Sequence, residues 1–114
     1  MAFPETRLRR LRATPALRGL VRETELSARQ LVLPLFVEAG LEQRGGRTPI
    51  EAMPGVDRLS IAEAVREAGD AAAHGLPGVL LFGIPAEKDA DGSGAWDDEG
   101  SVQLATRAIK AAHP

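Results

Sequence analysis

Leu76-Pro77-Gly78-Val79-Leu80-Leu81-Phe82-Gly83-Ile84-Pro85 runs directly into Ala86-Glu87-Lys88-Asp89-Ala90-Asp91-Gly92-Ser93-Gly94-Ala95. The first half holds a short apolar run, Val79 to Phe82, bracketed by Pro77-Gly78 and Gly83-Ile84-Pro85. Consecutive apolar positions suit a strand buried on both faces, as in a parallel sheet covered by helices. The bracketing prolines and glycines keep the run too short for a helix. The second half is a polar, glycine-containing loop. Strand, loop, helix is the repeating unit of an α/β fold, and in such folds the loops after the strands carry the chemistry.

Outward from this stretch, a helix is predicted on each side. Before it, Ser60 is an N-cap, and Glu63 three residues on completes a capping box. Ile61, Ala64, Val65, Ala68 and Ala72 make a stripe at helical spacing, expected to face a sheet. Gly75 ends that helix in a left-handed turn. After the loop, Asp97, Asp98 and Glu99 place negative charge where a helix macrodipole favours it, with Gly100 or Ser101 as cap. Val102, Ala105, Ala108, Ile109 and Ala112 form the second stripe, and His113-Pro114 stops it.

Further upstream, Leu31 to Val37 is the other strand candidate, with Pro34 marking an edge or a bulge. Ser27-Ala28-Arg29-Gln30 precedes it as a short turn. Glu38 to Arg58 then reads as one long connection, which in a compact domain is usually functional or mobile. Residues 1–30 read as an arm. Thr14 and Pro15 start a short helix expected to reach about Thr24. Six arginines and one acid, Glu5, lie between Met1 and Arg22. A solvated face accounts for them; so does contact with another subunit or an acidic surface. The order is arm, β, α, β, α.

Composition bounds the function. At 114 residues the chain is one domain at most, and 44% hydrophobic with 26% charged residues is globular rather than disordered. A formal net charge of −2 argues against a dedicated nucleic-acid binder. No apolar run approaches the roughly 20 residues of a membrane span. With no cysteine, disulfides and thiolate metal sites are excluded, and a cytoplasmic setting is expected. The arginine-rich start is too poor in serine for a transit peptide, and it carries an acid.

Few residues are equipped for catalysis. His74 and His113 each sit at a predicted helix end, where they serve the dipole. Lys88 lies in a polar loop and Lys110 on a helix face, neither in an apolar setting that would lower a lysine pKa. Ser27, Ser60, Ser93 and Ser101 have no histidine partner in sequence context. Asp89, Asp91, Asp97, Asp98 and Glu99 are oxygen ligands of the type that binds Mg²⁺ or Ca²⁺. Asp89 to Ser93 even resembles the start of an EF-hand loop, but the twelfth position is Gly100 rather than glutamate, so a solvated acidic loop is the reading taken. Gly92-Ser93-Gly94 could cradle an anion, but the surrounding carboxylates oppose it. No residue is assigned a catalytic, cofactor-binding or metal-binding role.

Five segments in order carry a family likeness. They are Arg9 to Arg18 (RRLRATPALR), Leu33-Pro34-Leu35-Phe36-Val37, Met53-Pro54-Gly55-Val56, Leu81-Phe82-Gly83-Ile84-Pro85 and Lys88 to Ala95 (KDADGSGA). Together they resemble the N-terminal portion of delta-aminolevulinic acid dehydratase, or porphobilinogen synthase, over about Thr6 to Pro114. The resemblance implies an arm that embraces a neighbouring subunit in a homo-oligomer, and a TIM (β/α)₈ barrel. It also implies condensation of two 5-aminolevulinate molecules to porphobilinogen in tetrapyrrole and heme biosynthesis. The family forms Schiff bases on two lysines, often with zinc or magnesium. A barrel takes about 250 residues. The expectation is therefore an α/β chain truncated to the arm (1–30) and the first two β/α units (31–114). On that expectation the lysines and metal segment lie beyond it, and the chain alone binds no metal and is inactive. Gly45-Gly46 departs from the family pattern as an insertion. The alternative is a stand-alone α/β interaction module that binds a partner through its basic arm.

Overall fold

Alternate residues of the two long strands lead opposite lives, and that alternation sets the architecture. The computed structural model describes residues 4–6 and 8–114. Its elements are α1 (Pro15–Leu20), β1 (Val32–Glu38), β2 (Arg47–Pro49), β3 (Asp57–Leu59), α2 (Ile61–Ala73), β4 (Gly78–Ile84) and α3 (Ser101–Ala112), with short 3₁₀ turns at Arg10–Arg12, Ala28–Gln30, Leu41–Arg44 and Ser93–Ala95. They build one mixed α/β layer pair with a four-stranded sheet in the order β2-β3-β1-β4. β1 and β4 pair in parallel over their whole length, Val32 with Gly78 through Glu38 with Ile84.

Leu35, Val37, Leu59, Ala64 and Ala105 form the core, with Leu33, Ile61, Val79, Leu81 and Ile109 packed on it. Side chains alternate across a strand. The odd-numbered residues of β1 and β4 therefore meet the helices, while the even-numbered ones turn away. Leu80 is 53% exposed and Phe82 46%. The expectation that Val79 to Phe82 is buried on both faces is corrected: α2 and α3 both lie on one side, and the other is bare. On that bare face Phe36 and Phe82 stack with ring centroids 5.4 Å apart, a direct result of their being cross-strand partners.

The long connection between Glu38 and Arg58 is the second correction. It folds into a 3₁₀ turn and two short strands; β2 pairs antiparallel with β3, and β3 adds parallel to the end of β1 through Phe36–Arg58 and Val37–Leu59. Strands of three residues are too short to give a periodic signal, and β3 finds its place by pairing with β1. Gly45 and Gly46, at φ +92° and +83°, turn the chain from one to the other, a conformation open to glycine at little cost. The β3 side of β1 is unpaired at Pro34, which suits a residue with no N–H to donate.

Both helix stripes shift at their ends. Ala64, Ala68 and Ala71 are the buried residues of α2, and Ala72 is exposed; in α3 Ala105 is buried and Ala112 exposed. Ser60 does cap α2, its hydroxyl accepting from the Glu63 N–H at 3.2 Å. The reciprocal half of the capping box does not form, because the Ser60 N–H donates to the Gly46 carbonyl at 2.7 Å. Gly75, at φ +84°, closes α2 in a Schellman turn, with Leu76 N–H donating to Ala71 O and Gly75 N–H to Ala72 O. The capping box with both halves lies instead at Ser27 and Gln30, over the turn before β1.

The described residues ahead of β1 are mostly exposed. Helix α1 is capped by Thr14 and stops at Leu20 rather than Thr24. Leu8, Leu20 and Leu26 are 91%, 81% and 86% exposed. The radius of gyration is 21.5 Å, against about 13 Å for a compact domain of this length.

Candidate functional site

Both long parallel strands end at the same rim, where β1 passes into the 39–58 connection and β4 into the 85–100 loop. In α/β folds ligands are handled at this C-terminal end. A cleft of about 400 Å³ lies there, between Pro85, Lys88 and Gly94 of the loop and Ser101, Val102 and Gln103 of α3.

Asp89 organises the loop. Its carboxylate accepts from the Ser93 N–H at 2.9 Å and from the Ser93 hydroxyl, a short-range turn that aspartate favours. The hydroxyl bond first, then the backbone bond, holds the Asp89 carboxyl below the usual carboxylate range. The Gln103 side-chain amide donates to Ala95 O at 2.8 Å, tying the loop to α3. Close contacts fix the glycines: a Cβ at Gly83 would stand 2.6 Å from Val102 Cγ2, and one at Gly100 would stand 2.9 Å from two carbonyl oxygens.

The other sequence candidates are dispersed. Lys88 and Lys110 are exposed, so neither has the desolvated setting that makes a lysine a nucleophile at neutral pH. Asp97 accepts from the Glu99 N–H at 2.9 Å, and Glu99 pairs with Arg107 at 3.1 Å. Among the described residues no three His, Asp or Glu side chains converge as a metal site. The donors of the described residues thus do not fit a zinc or magnesium ion. His74 Nδ1–H donates to Asp70 O at 2.7 Å at the end of its own helix. His113 reaches further: its Nε2–H donates to Val65 O at 3.0 Å, with the ring seated over Gly69. Ser60 caps α2 and Ser27 the turn before β1. Among the described residues no helix is long and apolar enough to cross a membrane.

Ion pairs that the sequence analysis did not single out shape the rim more than any of these candidates. Glu38, the last residue of β1, pairs with Arg44 at 2.5 Å and with Arg58 at 3.1 Å. The hydrogen bond from Arg44, then that from Arg58, lowers its pKa against the opposing effect of burial. Arg47 of β2 reaches Glu67 at 2.7 Å and Glu63 at 2.5 Å, with Asp57 at 3.7 Å. Its hydrogen bonds to Glu67, then to Glu63, raise the arginine's pKa against the opposing effect of burial. Glu42 accepts from the Ile61 N–H at 2.9 Å, satisfying an orphan donor at the positive end of α2. One signal was available for Glu38: it continues the even-numbered series Val32, Pro34, Phe36 at the strand's end.

A family model for delta-aminolevulinic acid dehydratase matches residues 5–114. The chain is 46% identical over 112 residues to the delta-aminolevulinic acid dehydratase of Synechococcus elongatus, covering 98% of this chain and 33% of that protein. To the Halalkalibacterium halodurans enzyme it is 44% identical over 108 residues, covering 95% and 32%. A crystal structure of the Toxoplasma gondii delta-aminolevulinic acid dehydratase (porphobilinogen synthase), in complex with the reaction product porphobilinogen, superposes with a TM-score of 0.86. The identity there is 32%, covering 96% of this chain and 30% of that one. The chain therefore spans about a third of the length of the curated relatives it matches.

Proposed function

The chain belongs to the delta-aminolevulinic acid dehydratase family, and on that premise we propose that it serves the condensation of two 5-aminolevulinate molecules to porphobilinogen, the hydro-lyase step of tetrapyrrole and heme synthesis. The observation that carries this reading is the continuous match over residues 5–114, with a backbone that follows a product-bound relative. The four-stranded sheet with both helices on one face has the form of the start of a (β/α)₈ wall. In such a barrel the bare face of Val32, Pro34, Phe36, Leu80 and Phe82 becomes the interior, which is filled by side chains.

The residues present here shape and position; they do not supply the covalent chemistry. The Phe36–Phe82 pair offers an apolar wall, and the loop held by Asp89 and the rim held by Glu38 set the mouth above it. Schiff-base chemistry needs a desolvated amine, and the two lysines of the chain, Lys88 and Lys110, are both exposed. The metal of the family, zinc or magnesium, likewise finds no donor set among the described residues. Residues 1–30 act as an arm and 31–114 as part of the barrel. The arm's exposed leucines and arginines support its packing on a second subunit, and the reading includes a cytoplasmic setting.

Two measurements test the reading. Residues 5–114 replace the matching segment of the Synechococcus elongatus enzyme, and porphobilinogen formation from 5-aminolevulinate is followed. Activity within about tenfold of the parent is expected; a folded chimera without activity refutes the assignment. The 114-residue chain by itself is expected to form no porphobilinogen above a buffer blank.

A further inference from the structure

The segment from Ala39 to Arg58 leaves the end of β1, makes a turn, and returns alongside the strand it left. Its two ends converge on one side chain. Glu38 Oε1 takes Arg44, in the first turn of the segment, and Oε2 takes Arg58, on the returning strand β3. The carboxylate is only 12% exposed although its strand position puts it on the bare face, because the two guanidinium groups cover it. Each oxygen has its own partner, so neither arginine displaces the other. Charge-assisted pairs of this kind are roughly twice as strong as neutral hydrogen bonds, and partial burial reduces their screening.

We propose that Glu38 is a bivalent clasp that holds residues 39–58 closed as a strap across the rim of the parallel sheet, so that its ionised carboxylate is a positioning group for the C-terminal mouth. The remaining fixings of the strap act elsewhere. Leu41 pins it through apolar burial, Glu42 joins it to the first N–H of α2, and Arg47 joins β2 to Glu63 and Glu67 of α2. The last two engage α2. The β2–β3 ladder and the Ile50 N–H to Val56 O bond join the two limbs further out; Glu38, on the face of Phe36, adds the side-chain tie between the turn that leaves β1 and the returning strand. The segment Ile50–Val56 lies outside the clasp, closed by its own turns from Met53 N–H to Ile50 O and from Val56 N–H to Met53 O. The strap thus has a fixed base and an independent tip. The proposal concerns contacts within this chain and stands whether or not the dehydratase reading does.

Hydrogen–deuterium exchange on the 114-residue chain tests it residue by residue. In Glu38→Gln the amides of Gly46 and Ser60, bonded to Leu41 O and Gly46 O, are expected to exchange at least tenfold faster than in the parent. Val37, in the core, and Met53, in the tip, should change less than twofold. Glu38→Asp, which keeps the charge, should restore at least half of the lost protection on a logarithmic scale. Glu99→Gln, which removes the exposed Arg107 pair, should leave the strap unchanged. Should Glu38→Gln fail to fold, Arg44→Ala carries the same test, with strap amides at least threefold faster and the core unaffected. Unchanged strap protection overturns the clasp. Equal acceleration of strap and core overturns it as well, because that result shows only a global loss of stability.

Discussion

Gly83→Ala tests how closely α3 approaches β4, and so what positions the loop between them. Gly83 lies one residue before the end of the strand, and an added Cβ would stand 2.6 Å from Val102 Cγ2 and 2.7 Å from Ser101 Oγ. Val102 is β-branched and sits in the first turn of the helix, so it has no alternative rotamer that clears the space easily. The start of α3 must move outward, and overpacking of this kind costs about 1–3 kcal/mol. Against this, alanine in a strand recovers about 0.5–1 kcal/mol of backbone entropy relative to glycine. The balance is a loss of about 1–2 kcal/mol. Gly78 supplies the control: it opens the same strand, and a Cβ there meets nothing within 4 Å, so Gly78→Ala should stabilise by about 0.5 kcal/mol or more. Urea unfolding followed by circular dichroism reads the difference. With an m-value of about 1–1.5 kcal/mol/M for so small a chain, the two midpoints should separate by about 1–2 M. Equal midpoints, or a Gly83→Ala chain more stable than Gly78→Ala, would refute the close-approach argument.

Three further outcomes follow from the same packing. Ser60→Ala should lose about 1 kcal/mol with the N-cap. Ala68→Asp should lose more, because it places a charge at a site 6% exposed; an exposed-face control, Arg66→Ala, should fall below both, and an equal loss of helicity in all three contradicts the face assignment. The Glu38 carboxyl has its pKa lowered from 4.5 by Arg44 and Arg58. Its contribution is therefore fully present above pH 4.5 and is lost as pH falls through the lower folded value. Melting temperature should drop between pH 5 and 3 by less in Glu38→Gln than in the parent, and identical pH profiles would remove Glu38 from the account. The bare face and the unpaired edge of β4 should make the isolated chain self-associate. Light scattering should report species above the 12.1 kDa monomer, with Leu80→Asp/Phe82→Asp shifting them toward monomer. A monodisperse monomer contradicts this and revives the stand-alone module.

Local order was written in the sequence wherever one short stretch contains both the instruction and the partner. Ser60 capping α2, Gly75 ending it, Pro15 starting α1 and the apolar runs of β1 and β4 are of this kind, since capping, turn and strand preferences act within a few residues. The family likeness was legible for the same reason, as a series of short ordered motifs. Tertiary structure decided which face each run presents. Val79 to Phe82 is apolar throughout, so its composition does not reveal that Val79 and Leu81 meet helices while Leu80 and Phe82 do not. That depends on α2 and α3 packing on the same side of the sheet. The rim was invisible for a related reason. Glu38, Arg44 and Arg58 are ordinary surface types, separated by 6 and 20 positions. An ion pair at such separation has no periodicity to announce it, and it exists only because β3 adds to the end of β1 and brings Arg58 beside the carboxylate.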